Sequence, residues 1–297
     1  MYPADRAPEP TYHTVLVPLD GSHVAAGALL TARALAARFA AMIHAVSVVG
    51  SELEVQRARS EAARTLGIGA DDPRIHVEVH TDVAGAVHAC AEELDDCLIC
   101  LSTHGRGRLT GSVVGSTARE IIGRAHEPVV VAGPFVVHPD PNDETATRPL
   151  AVDRLVACVD GTPDSEQGLP VAAAWADALG MKLILVTVAE PSPPPVRIGV
   201  PWRRRHGPNE DADEYVCRLG QQWALAAPGL DTTVVYDPIG VAPGMKDYLA
   251  AHPTGLVAVT SHLRDPLAHL RFGSGAAEIV HTSTAPVLVI PVTAVEG

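Results

Sequence analysis

The chain has 297 residues, of which 47% are hydrophobic and only 4% aromatic, and its formal net charge is −13. This length is close to that of two domains of about 150 residues each, and the hydrophobic content excludes an intrinsically disordered chain. The negative charge opposes non-specific binding to nucleic acid, and the sequence shows neither an apolar run near 18 residues nor a signal-peptide pattern, so we expect a cytoplasmic protein without nucleic-acid or membrane partners.

The first half of the chain alternates strand-like apolar runs with helical patterns. Five runs predict strands, at 13–20, 41–49, 74–81, 97–103 and 128–133. Helical patterns fit between them, at 22–39, 51–66, 83–94 and 115–125. Alternation of this kind predicts an open, five-stranded parallel sheet with helices on both faces.

The fourth predicted strand contains a Cys-x-x-Cys motif, from Cys97 to Cys100. In a strand, positions three apart point to opposite faces, so we expect neither a metal site nor a redox pair. All five cysteines lie in apolar runs or helical patterns and are expected to stay reduced. Four histidines in strand or helix patterns are likewise interpreted as packed or surface residues rather than ligands: His44, His76, His80 and His88.

The same order of elements returns in the second half, which indicates an internal duplication. Its strands are predicted at 154–160, 182–190, 231–237, 255–261 and 286–292. The stretch 115–131 aligns with 273–289 without a gap, and Gly, Ser, Ala, Glu, Ile, Pro and Val recur in place.

Domain boundaries follow from this duplication. We predict a first domain at 1–147, with a flexible N-terminal dozen residues, and a second at 148–297. A polar, proline-containing linker is expected at about 135–153. The second domain carries a proline-rich insertion at 191–209.

A glycine-rich loop between the fourth strand and the following helix is the first candidate site. In an open parallel sheet, ligands bind outside the carboxyl ends of the strands where the strand order reverses, and this loop is predicted to lie there. Gly105 and Gly115 allow close backbone approach, and Gly115-Ser116 opens a helix whose free N–H groups suit a phosphate. The pattern indicates an anion site, although glycine loops also serve as plain turns.

Asp20, at the end of the first predicted strand, is the second candidate. Its carboxylate can accept hydrogen bonds from a ribose hydroxyl or an adenine amine. An aspartate before Gly21-Ser22 is equally explained as a helix N-cap or an Asx-turn, and Ser22 could also supply the cap. Taken alone, the residue favours the cap.

Together these residues resemble the universal stress protein family in its tandem-domain, UspA-like form. The resemblance implies two Rossmann-like domains of the adenine nucleotide alpha hydrolase type, packed through their final strands about a pseudo-twofold axis. ATP-binding members of the family carry G-x2-G-x9-G-[ST], an aspartate ending the first strand near the adenine, and a hydrophobic residue of the second strand whose backbone meets the base. Carried over, the pattern implies an ATP site in the first half with serine at the first glycine position: Asp20, Val46, Ser102, Gly105, Gly115 and Ser116.

The second half keeps only part of this pattern. Thr260 and Leu263 replace the first two glycines, and a side chain is an obstacle where positive φ or close phosphate approach is needed. We therefore expect nucleotide mainly in the first half. The residues implied by the resemblance in the second half are Asp160, Val188, Gly273 and Ser274.

The function expected from the resemblance is that of an ATP-binding regulatory module of the stress response, with or without Mg²⁺. The chain has no GxxxxGK, GxSxG or HExxH motif, so any ATPase activity is expected to be weak. Two alternatives stay open: an interaction scaffold of the same family that binds no nucleotide, and a slow ATPase. The resemblance also implies a protein partner, which the residues do not identify, and leaves a homodimer open.

Overall fold

The computed structural model describes residues 7–103, 114–136, 150–189, 211–263 and 274–293. In the first half these residues form β1 (Thr14–Pro18), α1 (His23–Phe39), β2 (Met42–Val49), α2 (Glu52–Leu66), β3 (Ile75–Val79), α3 (Val83–Glu92), β4 (Cys97–Ser102), α4 (Ser116–Arg124) and β5 (Val129–Ala132). In the second half they form β6 (Arg154–Cys158), α5 (Pro163–Gln167), α6 (Leu169–Ala178), β7 (Lys182–Ala189), α7 (Ala212–Trp223), β8 (Asp231–Tyr236), α8 (Val241–Ala251), β9 (Leu256–Leu263), α9 (Ser274–Thr282) and β10 (Val287–Thr293).

All ten strands join one sheet in the order β3-β2-β1-β4-β5-β10-β9-β6-β7-β8. Each half is a parallel five-stranded sheet, and the two halves meet where β10 pairs with β5 in the antiparallel sense. This architecture confirms the predicted α/β fold of two tandem parallel-sheet units with helices on both faces. It also places the final strands of the two halves against each other, as the resemblance implied.

The register of β5 and β10 shows that the halves are related by a pseudo-twofold axis. Val131 pairs with Val287 and Val129 with Val289, while Val130 faces Leu288 at the centre. In the duplicated sequence Val129 is the counterpart of Val287 and Val131 is the counterpart of Val289, so exchanging the two halves turns the pair Val131–Val287 into the observed pair Val289–Val129. Reciprocal pairing of this kind is the signature of a twofold contact.

Two hydrophobic cores cover the opposite faces of the sheet, and each core runs through both halves. Because strand side chains alternate, Val15 and Val17 join the core under α1, α2, α6 and α7, whereas Leu16 joins the core under α3, α4, α8 and α9. Cys100 lies in the first of these cores and Cys97 packs against the second. The predicted separation of these two cysteines is therefore confirmed, and all five thiols are free.

An aromatic cluster joins the two halves on the face covered by α1 and α6. Tyr12 and Phe39 of the first half pack against Trp175 of the second, with ring centroids 5.5 and 5.4 Å from that of Trp175, which is 1% exposed. The backbone N–H of Ala7 donates to the carbonyl of Pro170 at 3.3 Å. Ala7 and Tyr12, which belong to the N-terminal dozen predicted to be flexible, therefore both have partners in the second half, and the flexibility of this stretch stays a prediction.

A guanidinium group adds a polar contact beside the aromatic cluster. Arg38, in the last turn of α1, donates to the Leu179 carbonyl at 2.9 Å and to the Leu150 carbonyl at 3.3 Å. The Leu179 carbonyl lies at the end of α6, where helix carbonyls lack internal partners, so Arg38 satisfies an acceptor of the other half. Most of the predicted linker, the domain boundary at 147/148 and the proline-rich insertion lie outside the described residues.

Candidate functional site

The carboxyl ends of the central strands form an equivalent crevice in each half. β1 lies between β2 and β4, and β6 lies between β7 and β9. The chain leaves each central strand toward one side and returns on the other, so the strand order reverses there and opens a crevice. Asp20 and Asp160 follow β1 and β6 by two residues and thus stand at the two reversal points.

Both aspartates form the same turn. One carboxylate oxygen of Asp20 accepts from the Ser22 N–H at 2.9 Å, and one of Asp160 accepts from the Thr162 N–H at 3.1 Å and hydroxyl at 2.6 Å. The intervening glycine has a φ of 78° in the first half and 79° in the second, a conformation that favours glycine. Asp20 therefore forms the Asx-turn that was one interpretation of its sequence, and Asp160 forms the same turn in the second half.

A small hydroxyl network fixes the turn of the second half. Thr162 is the N-cap of α5, and its side chain accepts from the Ser165 N–H at 3.2 Å. The Ser165 hydroxyl accepts in turn from the Asp160 N–H at 3.2 Å. Thr162 thus takes the capping role, and Asp160 is held in one orientation beside the crevice.

In the first half the glycine-rich loop begins and ends at one place. The Thr103 N–H donates to the Ala132 carbonyl at 3.2 Å, and the Gly115 N–H donates to the Thr103 carbonyl at 2.8 Å. Ser102 is the last residue of β4, and the exposed Ser116 is the first residue of α4. The predicted loop residues at these two ends therefore meet beside the reversal point, with Asp20 after the neighbouring strand.

Two of the predicted glycines, Gly105 and Gly273, lie outside the described residues. Ser274 begins α9, as its counterpart Ser116 begins α4. Gly115 has φ −58° and ψ 151°, which any residue can adopt. A glycine here therefore allows close approach of a ligand through its small size, not through a special backbone conformation.

Register shows that Val46 and Val188 are not equivalent. The Val46 carbonyl accepts from the Leu19 N–H at 2.8 Å, and the same bond in the second half joins the Val159 N–H to the Val186 carbonyl at 2.9 Å. Val186 is therefore the counterpart of Val46, and Val188 lies two residues further along β7. The spacing from Asp20 to Val46, which equals that from Asp160 to Val186, could have identified it.

A cavity of about 460 Å³ lies at the carboxyl ends of the strands of the second half. It brings together two of the predicted residues, Asp160 and Val188, with Thr260 near the end of β9 and Gly275 in the first turn of α9. The apolar lining comes mainly from β7, β9, α8 and α9: Val186, Val188, Val259, Val241, Ala242, Met245, Ala276 and Ile279. The arrangement offers an apolar slot with a carboxylate and hydroxyl groups in its wall.

The second half continues a strand where the first half starts its loop. Ser102 pairs with Ala132 as the last pair of β4 and β5, and the counterpart pair in the second half is Thr260 with Ile290. Three further pairs follow there: Ser261 with Pro291, His262 with Val292, and Leu263 with Thr293.

This extension corrects the expected reason for a weak second site. The described non-glycine residues with positive φ are Ala40, Asp96 and Leu150, so Thr260 and Leu263 are ordinary strand residues without backbone strain. In the second half β9 occupies the chain positions from which the glycine loop of the first half starts. The methyl group of Thr260 is accommodated by Gly168, where an added Cβ would lie only 2.5 Å from it.

The charges around the cavity of the second half are acidic. Asp160 and Glu278 line it, and none of the described lining residues is a lysine or arginine. Cys158 also lines the cavity, and burial, reinforced by the charge of Asp160, raises the pKa of its thiol to about 12. In the first half Arg119 lies in the first turn of α4 and donates to the Val114 carbonyl at 3.3 Å, whereas Ala277 stands at its counterpart position.

Two of the predicted packed histidines form a pair on β2 and β3. His44 Nδ1 and His76 Nε2 are 2.9 Å apart, the rings are inclined by only 17°, and both side chains are half-buried. Burial lowers the pKa of both imidazoles, and for His44 the neighbouring His76 adds to the effect. Across the described ranges, we find no group of three or more His, Cys, Asp or Glu side chains that could hold a metal ion.

None of the helices in the described part of the chain combines the length and the apolar character that crossing a membrane requires.

The model of the universal stress protein family matches residues 11–133 and 151–291. Two curated relatives from Mycobacterium tuberculosis, universal stress proteins MT2699 and Rv2624c, are each 29% identical over 176 residues. These matches cover 56% of this chain and 61% of each relative, which is less than two thirds of their length.

Solved structures share the fold over almost the whole chain. A universal stress protein from Archaeoglobus fulgidus matches with a TM-score of 0.60 and 14% identity, covering 94% of this chain and 98% of that one. A putative universal stress protein from Pseudomonas aeruginosa matches with a TM-score of 0.58 and 12% identity, covering 96% and 95%. At these identities the likeness concerns the fold alone.

Proposed function

Because this chain belongs to the universal stress protein family, we propose that it is a cytoplasmic regulatory module of a stress response whose first half binds ATP. The observation that carries the proposal is the hydrogen bond between Gly115 and Thr103, which closes the glycine-rich loop beside the first turn of α4. Helix amides of a first turn have no partner within the helix and attract phosphate oxygens. Arg119 adds a positive charge to the same turn.

The proposed roles follow from position. Ser116 and the amides after it would meet the phosphates, and the Asp20 carboxylate would face the ribose or the adenine. Val46 would meet the base through its backbone, since a carbonyl that accepts one bond from Leu19 retains a second lone pair. ATP would add charge and bulk at the two ends of the loop, and the changed surface would be recognised by a protein partner.

Binding rather than turnover is the proposed activity. General-base catalysis needs a group within hydrogen-bond reach of the attacking water. The described residues at the two ends of the loop carry hydroxyl groups, on Ser102, Thr103, Ser116 and Thr117, which are poor bases at neutral pH. Mg²⁺ would therefore accompany the phosphates rather than occupy a site built from described carboxylates.

The experiment that tests the proposal is release of bound nucleotide. The purified protein is heat-denatured, and the nucleotide in the supernatant is identified by chromatography and related to the amount of protein. We expect about one ATP or ADP per chain, and the same ratio for Asp160→Ala. About two per chain, or equal loss of nucleotide in Asp160→Ala and Gly115→Val, would contradict the assignment to the first half.

An interaction scaffold without nucleotide is the second candidate. The Asx-turn at Asp20 favours it, because that turn gives the aspartate a structural role that needs no ligand. An empty protein whose melting temperature does not change with added ATP would establish the scaffold instead.

A further inference from the structure

The histidine pair on β2 and β3 is joined by one hydrogen bond between two ring nitrogens. His44 Nδ1 and His76 Nε2 are 2.9 Å apart, and the rings are inclined by only 17° with centroids 5.2 Å apart, so the two nitrogens face each other. Such a bond holds one proton, because one imidazole donates and the other accepts. The second nitrogen of His44, Nε2, is buried and has no hydrogen-bond partner among the described residues. A buried N–H without an acceptor is costly, so the proton of His44 lies on Nδ1 and is donated to His76.

The pair cannot take up a further proton without a loss of stability. A proton added to His44 goes to Nε2, which then becomes a buried N–H without an acceptor. A proton added to His76 Nε2 keeps the bond only if the proton of His44 moves from Nδ1 to Nε2, and the same buried N–H results. Separation of the two rings removes this conflict, since water can then reach the nitrogens. Proton uptake therefore favours an open pair.

The surroundings of the pair do not reverse this cost. Burial is the largest effect on both imidazoles and lowers the pKa of each. The charged groups that act on the pair come from α2, from β3, from the turn before β3 and from the end of α3, and they are of both signs: Arg59, Glu78, Asp72, Arg74 and Glu93. The thiol of Cys90 on α3, whose pKa burial raises to about 11, stays neutral. The pair thus takes up a proton in mild acid, below the usual histidine pKa of about 6.5.

The pair lies next to the residue that is proposed to meet the base of ATP. Val46 pairs in register with His76, and His44 lies two residues before Val46 on β2. The Val46 carbonyl accepts from the N–H of Leu19, which directly precedes Asp20. β2 therefore connects the pair with the crevice. Because β3 is the end strand of the described sheet, an open pair loosens β3 and disturbs β2 at Val46.

At the same places the second half carries side chains that do not titrate. By the register of β2 with β3 and of β7 with β8, Ile184 stands at the position of His44 and Thr233 at that of His76. The pair is thus a feature of the half that is proposed to bind ATP.

We propose that the His44–His76 pair is an acid-sensitive latch of the first half: its bond holds β3 to β2 at neutral pH, and in mild acid the latch opens and ATP binds more weakly. The latch regulates the ATP site proposed above and rests on that proposed function. The module would then respond to acidity by releasing its ligand.

Calorimetric titration of the full chain with ATP, at about pH 7.5 and about pH 5.5, tests the latch. Phosphate groups take up protons themselves near about pH 6, so the pH dependence of Kd is compared between the wild type and His76→Gln, whose side chain does not titrate. We expect the affinity of the wild type to fall at least about fivefold more than that of the variant. An equal fall in both proteins would overturn the proposal.

The matched control is His126→Gln. His126 is exposed and directly precedes the start of β5 by a short turn, at the end of the sheet opposite to the crevices, so the variant makes the same change of charge away from the pair. It should keep the pH dependence of the wild type. If it loses as much of that dependence as His76→Gln does, the effect belongs to net charge and the latch is refuted.

Hydrogen exchange of the β3 amides tests the latch without ATP. In the wild type the protection of these amides, corrected for the intrinsic effect of pH, should fall at least about fivefold between about pH 7.5 and about pH 5.5, and it should fall less in His76→Gln. Constant protection in the wild type would refute the latch.

The two proposals fail in different ways. If the wild type binds no ATP at neutral pH, the ATP site is refuted and its regulation with it. If ATP binds at neutral pH and its affinity depends on pH equally in the wild type and His76→Gln, the latch alone is refuted.

Discussion

Replacing Trp175 by alanine tests how strongly the two halves depend on each other. Its side chain is 1% exposed and packs against Tyr12 and Phe39, which belong to the other half. Truncating a buried tryptophan costs about 3–5 kcal/mol through lost burial and the cavity left behind. Its two aromatic contacts, with ring centroids 5.5 and 5.4 Å apart, place Trp175→Ala near the upper end of that range.

A loss of about 5 kcal/mol is a large part of a typical free energy of unfolding, which is about 5–15 kcal/mol. We measure it by urea unfolding followed by circular dichroism. Because the lost contacts lie across the junction, we also expect the single transition of the wild type to separate into two. Each half keeps its own five strands, and each can then unfold at its own urea concentration.

The matched control is Trp223→Ala. Trp223 is 7% exposed and lies on α7, which packs on β7 and β8, at the end of the sheet far from the junction. It should lower stability by a similar amount without separating the transitions. A loss below about 1 kcal/mol for Trp175→Ala, or the same transition pattern in both variants, would refute the coupling role of the cluster.

Three further predictions concern the site and its surroundings. ATP at a hundredfold excess over Kd should stabilise the wild type by about 2.7 kcal/mol, or roughly 5 °C in Tm. Gly115→Val should lose this shift, but without ATP its Tm should equal that of the wild type, since valine tolerates the φ and ψ found at position 115. At mildly alkaline pH a thiol reagent should modify the exposed Cys217 much faster than Cys158, whose pKa is raised to about 12. Peptide mapping by mass spectrometry distinguishes the two, and labelling of Cys158 as fast as that of Cys217 would contradict the raised pKa. Because the pKa of His44 and His76 is lowered in the folded protein, the unfolded chain binds more protons than the folded one in mild acid. The free energy of unfolding should therefore fall between about pH 7 and about pH 5.5, and His76→Gln should make this fall less steep in urea titrations. An equally steep fall in the variant would contradict the role of the histidine pair.

Local patterns of the sequence were sufficient to predict the helices and strands and the face of the sheet on which strand residues lie. The period of two around Cys97 and Cys100 predicted that they lie on opposite faces, and the structure places them in different cores. The repeated aspartate-glycine-hydroxyl turn at Asp20 and Asp160 was likewise readable, because such turns depend on neighbouring residues alone.

Features that depend on distant partners could not be predicted. β9 continues to Leu263 because Leu263 pairs with Thr293 of β10, and no local pattern near Leu263 predicts that pairing. The partial burial of Tyr12 could not be predicted for the same reason, since its neighbour Trp175 lies in the other half of the chain. Tertiary contacts of this kind override local propensity.

The antiparallel contact between β5 and β10 has a consequence for how this molecule can diverge. In a dimer of identical chains every substitution appears twice, so a change that suits one subunit must suit both. Here the covalent connection gives each half its own residues, and the contact needs only matching backbone along Val129–Val131 and Val287–Val289. One half can therefore lengthen a strand, as β9 does, while its counterpart β4 stays short, and a single polypeptide holds two different crevices at a fixed ratio of one to one.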